Sequence, residues 1–115
     1  MHLLFAYGSL LDPVIQEKLF KRTLTSEAKA ILLNWEKYTH EEYPYILPKQ
    51  GSQVHGEIIA LEDKELAIAD QWEEVPRVYQ REKLEVKLTD GSQLKVWVYI
   101  KKPGNQTHNS KPVAL

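Results

Sequence analysis

With 115 residues, 43% of them hydrophobic and 27% charged, the chain has the make-up of one globular domain around one modest core. A formal net charge of −1 gives no bulk attraction to nucleic acid or to an anionic membrane, and the absence of cysteine removes disulfides, thiolate-bound zinc and a thiol nucleophile. No stretch reaches the roughly 18 consecutive apolar residues of a membrane span, and the first residues lack the basic flank of a signal peptide, so a cytoplasmic protein, monomeric by default, is expected.

His2–Ala6 is a short apolar run and is expected to form a strand. It breaks at Tyr7-Gly8-Ser9-Leu10 into a helix over residues 12–22, where Asp12 suits the N-cap, Pro13 the first helical position, and Val14, Ile15, Leu19 and Phe20 recur at helical spacing. Ala28–Tyr38 alternates as a strand. Tyr43–Pro48 carries two prolines and is expected to be an ordered loop, with Lys49–Ser52 a turn. Val54–Leu61 returns to strand. Asp63 caps a short helix reaching Trp72, with Leu66, Ala67 and Ala69 on its apolar side, and Pro76 forces an exit. Glu82–Leu88 and Gln93–Lys101 alternate on either side of Asp90-Gly91, a pair suited to a type I′ hairpin turn. One domain over residues 1–102 and a polar tail over 103–115 follow. The class is α+β: a mixed, largely antiparallel sheet that curls like a barrel, with two short helices.

Two places carry chemistry. A buried strand that ends in a Gly turn before a helix leaves backbone N–H groups unpaired and pointing one way, a nest for a carboxylate or phosphate; here those groups belong to Gly8, Ser9 and Leu10. Asp70-Gln71-Trp72-Glu73-Glu74-Val75-Pro76 supplies carboxylates that such a cradle could face. Competing sites lack their parts. His40-Glu41-Glu42 has no second His at helical spacing for a metal. There is no glycine set for a dinucleotide or phosphate loop, no basic stripe for nucleic acid, and no Gly-x-Ser-x-Gly around Ser9.

Phe5-Ala6-Tyr7-Gly8-Ser9-Leu10 resembles the opening signature of the gamma-glutamylcyclotransferase-like family, which includes the AIG2-like proteins. Further segments agree in order: Ala30–Tyr38; Tyr43-Pro44 through Val54-His55-Gly56-Glu57; Asp70-Gln71-Trp72-Glu73 with Val75, Pro76, Tyr79 and Arg81 behind it; and Val96-Trp97-Val98-Tyr99. The resemblance covers roughly residues 2 to 101. It implies a barrel-like sheet whose Tyr7–Leu10 loop and one glutamate line a cavity. It also implies a cofactor-independent reaction on a small-molecule γ-glutamyl substrate, with no nucleic-acid or membrane partner: the α-amine attacks its own γ-amide, releasing 5-oxoproline and a free amine.

Glu73 matches the family's catalytic position, as general base and then acid, and needs a pKa raised above the ordinary glutamate value of about 4.3 to suit an amine. Tyr7, Gly8, Ser9, Leu10, Tyr43 and Tyr99 are the candidate substrate contacts, with Tyr79 a further wall. Arg81 reads as a structural ion-pair partner, and Trp35, Trp72 and Trp97 as core. Glu74 stands where the family usually has Gly, a residue free to take positive φ, so the turn after Glu73 is expected to differ and Glu74 is the fallback base. That departure sustains a second reading: a non-catalytic domain of the same fold that binds a γ-glutamyl compound or another small carboxylate.

Overall fold

The computed structural model describes residues 1–40 and 43–101, apart from the side chains of His40 and Tyr43. Five strands, β1 (His2–Ala6), β2 (Ala28–His40), β3 (Tyr43–Leu61), β4 (Tyr79–Leu88) and β5 (Gln93–Lys101), close into a barrel in the order β1-β3-β2-β4-β5. Every pairing is antiparallel except the seam, where β1 and β5 run parallel at Leu4 and Trp97. Two helices, α1 (Pro13–Phe20) and α2 (Asp63–Trp72), and a 3-10 turn at Ser9–Leu11 fill the connections. This is the mixed, barrel-like sheet with two short helices expected from the sequence.

Alternation along the strands sorts their side chains into two cores. Phe5, Ile46, Val54, Ile58, Val86, Val96, Val98 and Ile100 cluster with other strand residues and Tyr7, with no helix residue among them, and so fill the barrel. Their neighbours Leu4, Ala6, Ile59, Leu61 and Tyr99 meet Phe20 of α1 and Leu66 and Ala69 of α2 on the outside. Strand β1 is therefore apolar on both faces, which accounts for the unbroken Leu3–Ala6 run.

Several local expectations are corrected. Tyr43–Pro48 is not a loop but the first part of β3, paired with β2 from His40↔Tyr43 to Trp35↔Pro48. Pro44 and Pro48 lie four residues apart and so share one side of the strand's alternation, and β1 joins β3 only at Glu57–Leu61. A missing N–H on that unclaimed side costs no ladder bond. Lys49–Ser52 is a bulge within β3: the register passes from Leu33↔Gln53 to Trp35↔Pro48, with Asn34 and Gly51 at positive φ and the Gly51 N–H donating to Asn34 Oδ1 at 3.1 Å.

The N-cap of α2 is Glu62, not Asp63. Glu62 and Glu65 form a reciprocal capping box, while the Asp63 carboxylate meets His2. Ala67 and Val14 face solvent rather than the core. The β4–β5 turn is not type I′, because only Gly91 has positive φ. Its N–H bonds back to the Leu88 carbonyl and the Leu88 N–H to Ser92, the pattern of a turn followed by a glycine bulge. The Asp12 cap is as expected: its side chain accepts from Val14 N at 2.9 Å. The tail from residue 103 lies outside the described residues.

Candidate active site

At one end of the barrel the chain leaves β1 through Tyr7 and Gly8 into the 3-10 turn, while α2 ends directly opposite. Between them lies a cavity of about 830 Å³. Tyr7, Gly8, Ser9, Leu10, Glu73 and Tyr99 all line it, together with Pro44, Trp72, Glu74, Val78 and Tyr79. Six of the seven residues singled out from the sequence as catalytic or substrate-binding are thus brought to one space; the side chain of the seventh, Tyr43, lies outside the described residues.

The first hydrogen bond of the 3-10 turn runs from Leu11 N to the Gly8 carbonyl, 3.0 Å. In that geometry the N–H groups of Gly8, Ser9 and Leu10 have no partner inside the turn. A Cβ on Gly8 would stand 3.0 Å from Pro44 Cγ, so a larger residue there requires the Pro44 ring to give way. Gln16, which the sequence reading passed over, holds the turn down from inside: its Nε2 donates to Leu10 O at 2.8 Å and its Oε1 accepts from Leu24 N at 2.8 Å.

Glu73 is the C-cap of α2, with its N–H on Ala69 O at 2.9 Å. Its carboxyl is taken out of water by the cavity wall, and this desolvation pushes its pKa up to about 7. Glu74 is exposed and pairs with Arg77. The turn between them keeps the left-handed conformation despite the missing glycine. Glu74 sits at φ 57°, its N–H on Gln71 O, and Val75 N–H closes on Asp70 O at 3.0 Å. Glutamate here occupies the left-handed position that a glycine takes without strain.

Around Glu73 the hydroxyls are engaged. Tyr7 donates to the Tyr99 carbonyl at 2.6 Å, Tyr99 to Asp70 Oδ1 at 2.7 Å, and Tyr79 to the Pro44 carbonyl at 2.8 Å. Burial, followed by the repulsion of Tyr79 and Glu73, raises the Tyr7 phenol well above its usual range. Burial, and then its hydrogen bond to the Asp70 carboxylate, does the same for Tyr99. Both rings face the cavity as neutral phenols. Arg81 grips Asp70 through Nε and a terminal nitrogen at 2.8 and 2.9 Å and lies over Trp97, 4.1 Å from the ring centre, as a structural pair. Trp35 and Trp97 are half-buried against the two cores, but Trp72 is not core. It is 36% exposed at the cavity rim, where its Nε1 donates to Ser9 Oγ at 3.0 Å. Asp70's part in this network had one sequence signal, its place three residues before Glu73 on the same helix.

The site is thus a small closed barrel with one desolvated carboxyl and the Gly8–Leu10 turn on a shared cavity, and comparison with known proteins names the family. Residues 4–114 match the model of the family described as gamma-glutamyl cyclotransferase, AIG2-like, and the chain belongs to that family. Among curated proteins it is 34% identical to AIG2-like protein D of Arabidopsis thaliana, over 89% of this chain and 70% of that protein. It is 36% identical to gamma-glutamylaminecyclotransferase A of Danio rerio, over 47% of this chain and 35% of that protein. An AIG2-like protein of mouse, known from a crystal structure, superposes with a TM-score of 0.76 at 22% identity, over 90% of this chain and 81% of that one, a likeness of fold.

Proposed function

We propose that this protein is a γ-glutamyl cyclotransferase that cyclises the glutamyl end of a γ-glutamyl amine or peptide, with Glu73 moving the protons. The α-carboxylate sits on the N–H groups of Gly8, Ser9 and Leu10, and the rings of Tyr7 and Tyr99 wall the folded glutamyl chain. Glu73 takes a proton from the α-ammonium. The freed lone pair attacks the γ-carbonyl carbon, forming the C–N bond of a five-membered lactam. As the bond to the departing nitrogen breaks, the Glu73 carboxyl returns the proton to it, and the second proton shed by the α-nitrogen follows the same route. The products are 5-oxoproline and the free amine; no water is consumed. Because both reacting groups belong to one molecule, holding the chain in a ring-like pose supplies much of the acceleration.

The observation that carries the reading is the desolvated Glu73 carboxyl, with its pKa near 7, in the same cavity as the free N–H turn. A carboxyl poised there exchanges protons with amines far better than one at its ordinary value. The family supports the reaction type.

The test is 5-oxoproline release by wild type, Glu73→Gln and Glu74→Gln across γ-glutamyl amino acids and amines. Glu73→Gln loses about 10²–10⁴-fold in kcat while still binding substrate, and Glu74→Gln keeps its rate. For the wild type, log kcat/KM climbs with pH and levels off above about 7, since the base form must be present. Undiminished turnover in Glu73→Gln would remove the assignment. Binding without turnover in every protein would favour a non-catalytic domain.

A further inference from the structure

Lys37 was not singled out by its sequence and does not line the cavity, yet it reaches the site from behind. It is an exposed residue of β2, and its Nζ donates to the Tyr7 carbonyl oxygen at 2.8 Å. That carbonyl and the Gly8 N–H are the two ends of one peptide group. The group is trans, the Val75–Pro76 bond being the one cis peptide among the described residues. In a trans peptide the C=O and N–H point in opposite directions, and resonance joins them electronically. A cation on the oxygen therefore does two things to the nitrogen at the other end. It fixes the plane, so that the N–H is aimed away from β2, and it draws electron density from the nitrogen, so that the hydrogen carries more positive charge. Gly8 borders the cavity and Lys37 does not, so the lysine approaches this peptide from outside the cavity.

The rest of β2 holds Lys37 in place for this. Its register partner Ile46 is fully buried in the barrel, and the adjacent Tyr38 and Tyr45 stack with ring centres 5.6 Å apart. The strand pair is anchored on both sides of the lysine.

We propose that Lys37 is a positioning residue for the anion cradle: from outside the cavity it orients and polarises the Tyr7–Gly8 peptide, so that the Gly8 N–H donates strongly to the carboxylate of a γ-glutamyl ligand. The inference rests on the cradle reading of the previous subsection, and its test separates the two.

The probes are 5-oxoproline, which carries the carboxylate, and its carboxamide, which has the same ring without the charge. Equilibrium binding of each is measured to wild type and to the Lys37→Met, Lys37→Gln and Lys37→Arg variants, with thermal melting alongside. The wild type prefers the carboxylate. Lys37→Met weakens 5-oxoproline binding by about five- to tenfold and carboxamide binding by less than about twofold, the difference expected when one charge-assisted bond becomes an ordinary one. Lys37→Arg restores most of the preference; Lys37→Gln, which keeps a donor without the charge, does not. A purely structural lysine would weaken both probes alike or lower only the melting temperature, and either result overturns the proposal, as does full preference retained in Lys37→Met. Should Lys37→Met fold poorly, the Gln and Arg variants decide between charge and mere contact. A wild type that does not prefer the carboxylate, or binds neither probe, fails at the cradle itself, before any variant is compared.

Discussion

Two adjacent glutamates show how far neighbouring residues can diverge in environment. Both border the cavity, but the Glu73 carboxyl is desolvated there, while Glu74 is exposed and pairs with Arg77. The desolvation that suits Glu73 to proton transfer also costs stability, in a definite pH window. Its carboxyl titrates near 4.5 in the unfolded chain and near 7 when folded. The folded state therefore holds the proton more tightly, and stability falls as pH rises between those values. Below about pH 4.5 both states are protonated and the penalty vanishes; above about 7 it is complete, at most about 3 kcal/mol. Glu73→Gln is thus expected to be more stable than wild type at pH 8, by up to that amount, with the gap closing by pH 4. Urea denaturation at the two pH values measures it, and an equal gap at both would mean the wild-type carboxyl is not desolvated. Glu73 was chosen over Glu74 on its spacing to Asp70. The raised pKa was not legible in the sequence, because it depends on walls contributed by residues 7–10, 44 and 99, far away in the chain.

At the scale of elements, the decisive piece is the turn that ends α2. Its left-handed position holds Glu74 at φ 57°, where a β-carbon meets the following carbonyl. The surrounding hydrogen bonds, Glu74 N to Gln71 O and Val78 N to Glu74 O, hold it there. Replacing Glu74 with Gly relieves that strain and is expected to stabilise the protein by about 1 kcal/mol, or roughly 4 °C in melting temperature, with turnover unchanged. Glu74→Ala, which keeps the β-carbon, gains little. A Gly variant no more stable than the Ala variant would show that the turn is not strained. The β4–β5 hairpin and the Asp12-Pro13 helix start were readable because their signals are local. The first half of β3 was not: its prolines argue against a strand unless one side of that strand goes unclaimed, and only the sheet order reveals that it does.

For the molecule as a whole, closure of the barrel brings the two ends of the site together. Strand β1 runs between β3 and β5, and its last residues deliver Tyr7 and Gly8 to the cavity. The close approach of β1 to β3 depends on Gly56. A Cβ there would lie 2.5 Å from the Ala6 carbonyl oxygen and 2.7 Å from the Phe5 ring, neither of which can swing aside. Gly56→Ala is expected to cost more than about 2 kcal/mol, through overpacking at a backbone contact, and to lower affinity for substrate because Tyr7 and Gly8 move with β1. Melting and substrate-binding measurements on this variant test both. A variant as stable as wild type would mean that β1 can shift without cost.

From the sequence alone came the α+β class, most elements, the family and most of the segments that line the cavity, because apolar periodicity, caps and ordered motifs are local or keep their order along the chain. Tertiary structure alone decided which carboxyl loses its water, which phenols stay neutral beside it, and how a lysine from β2 reaches the back of a peptide in the cavity wall. Each of those depends on groups far apart in the chain, which only the closed barrel makes neighbours.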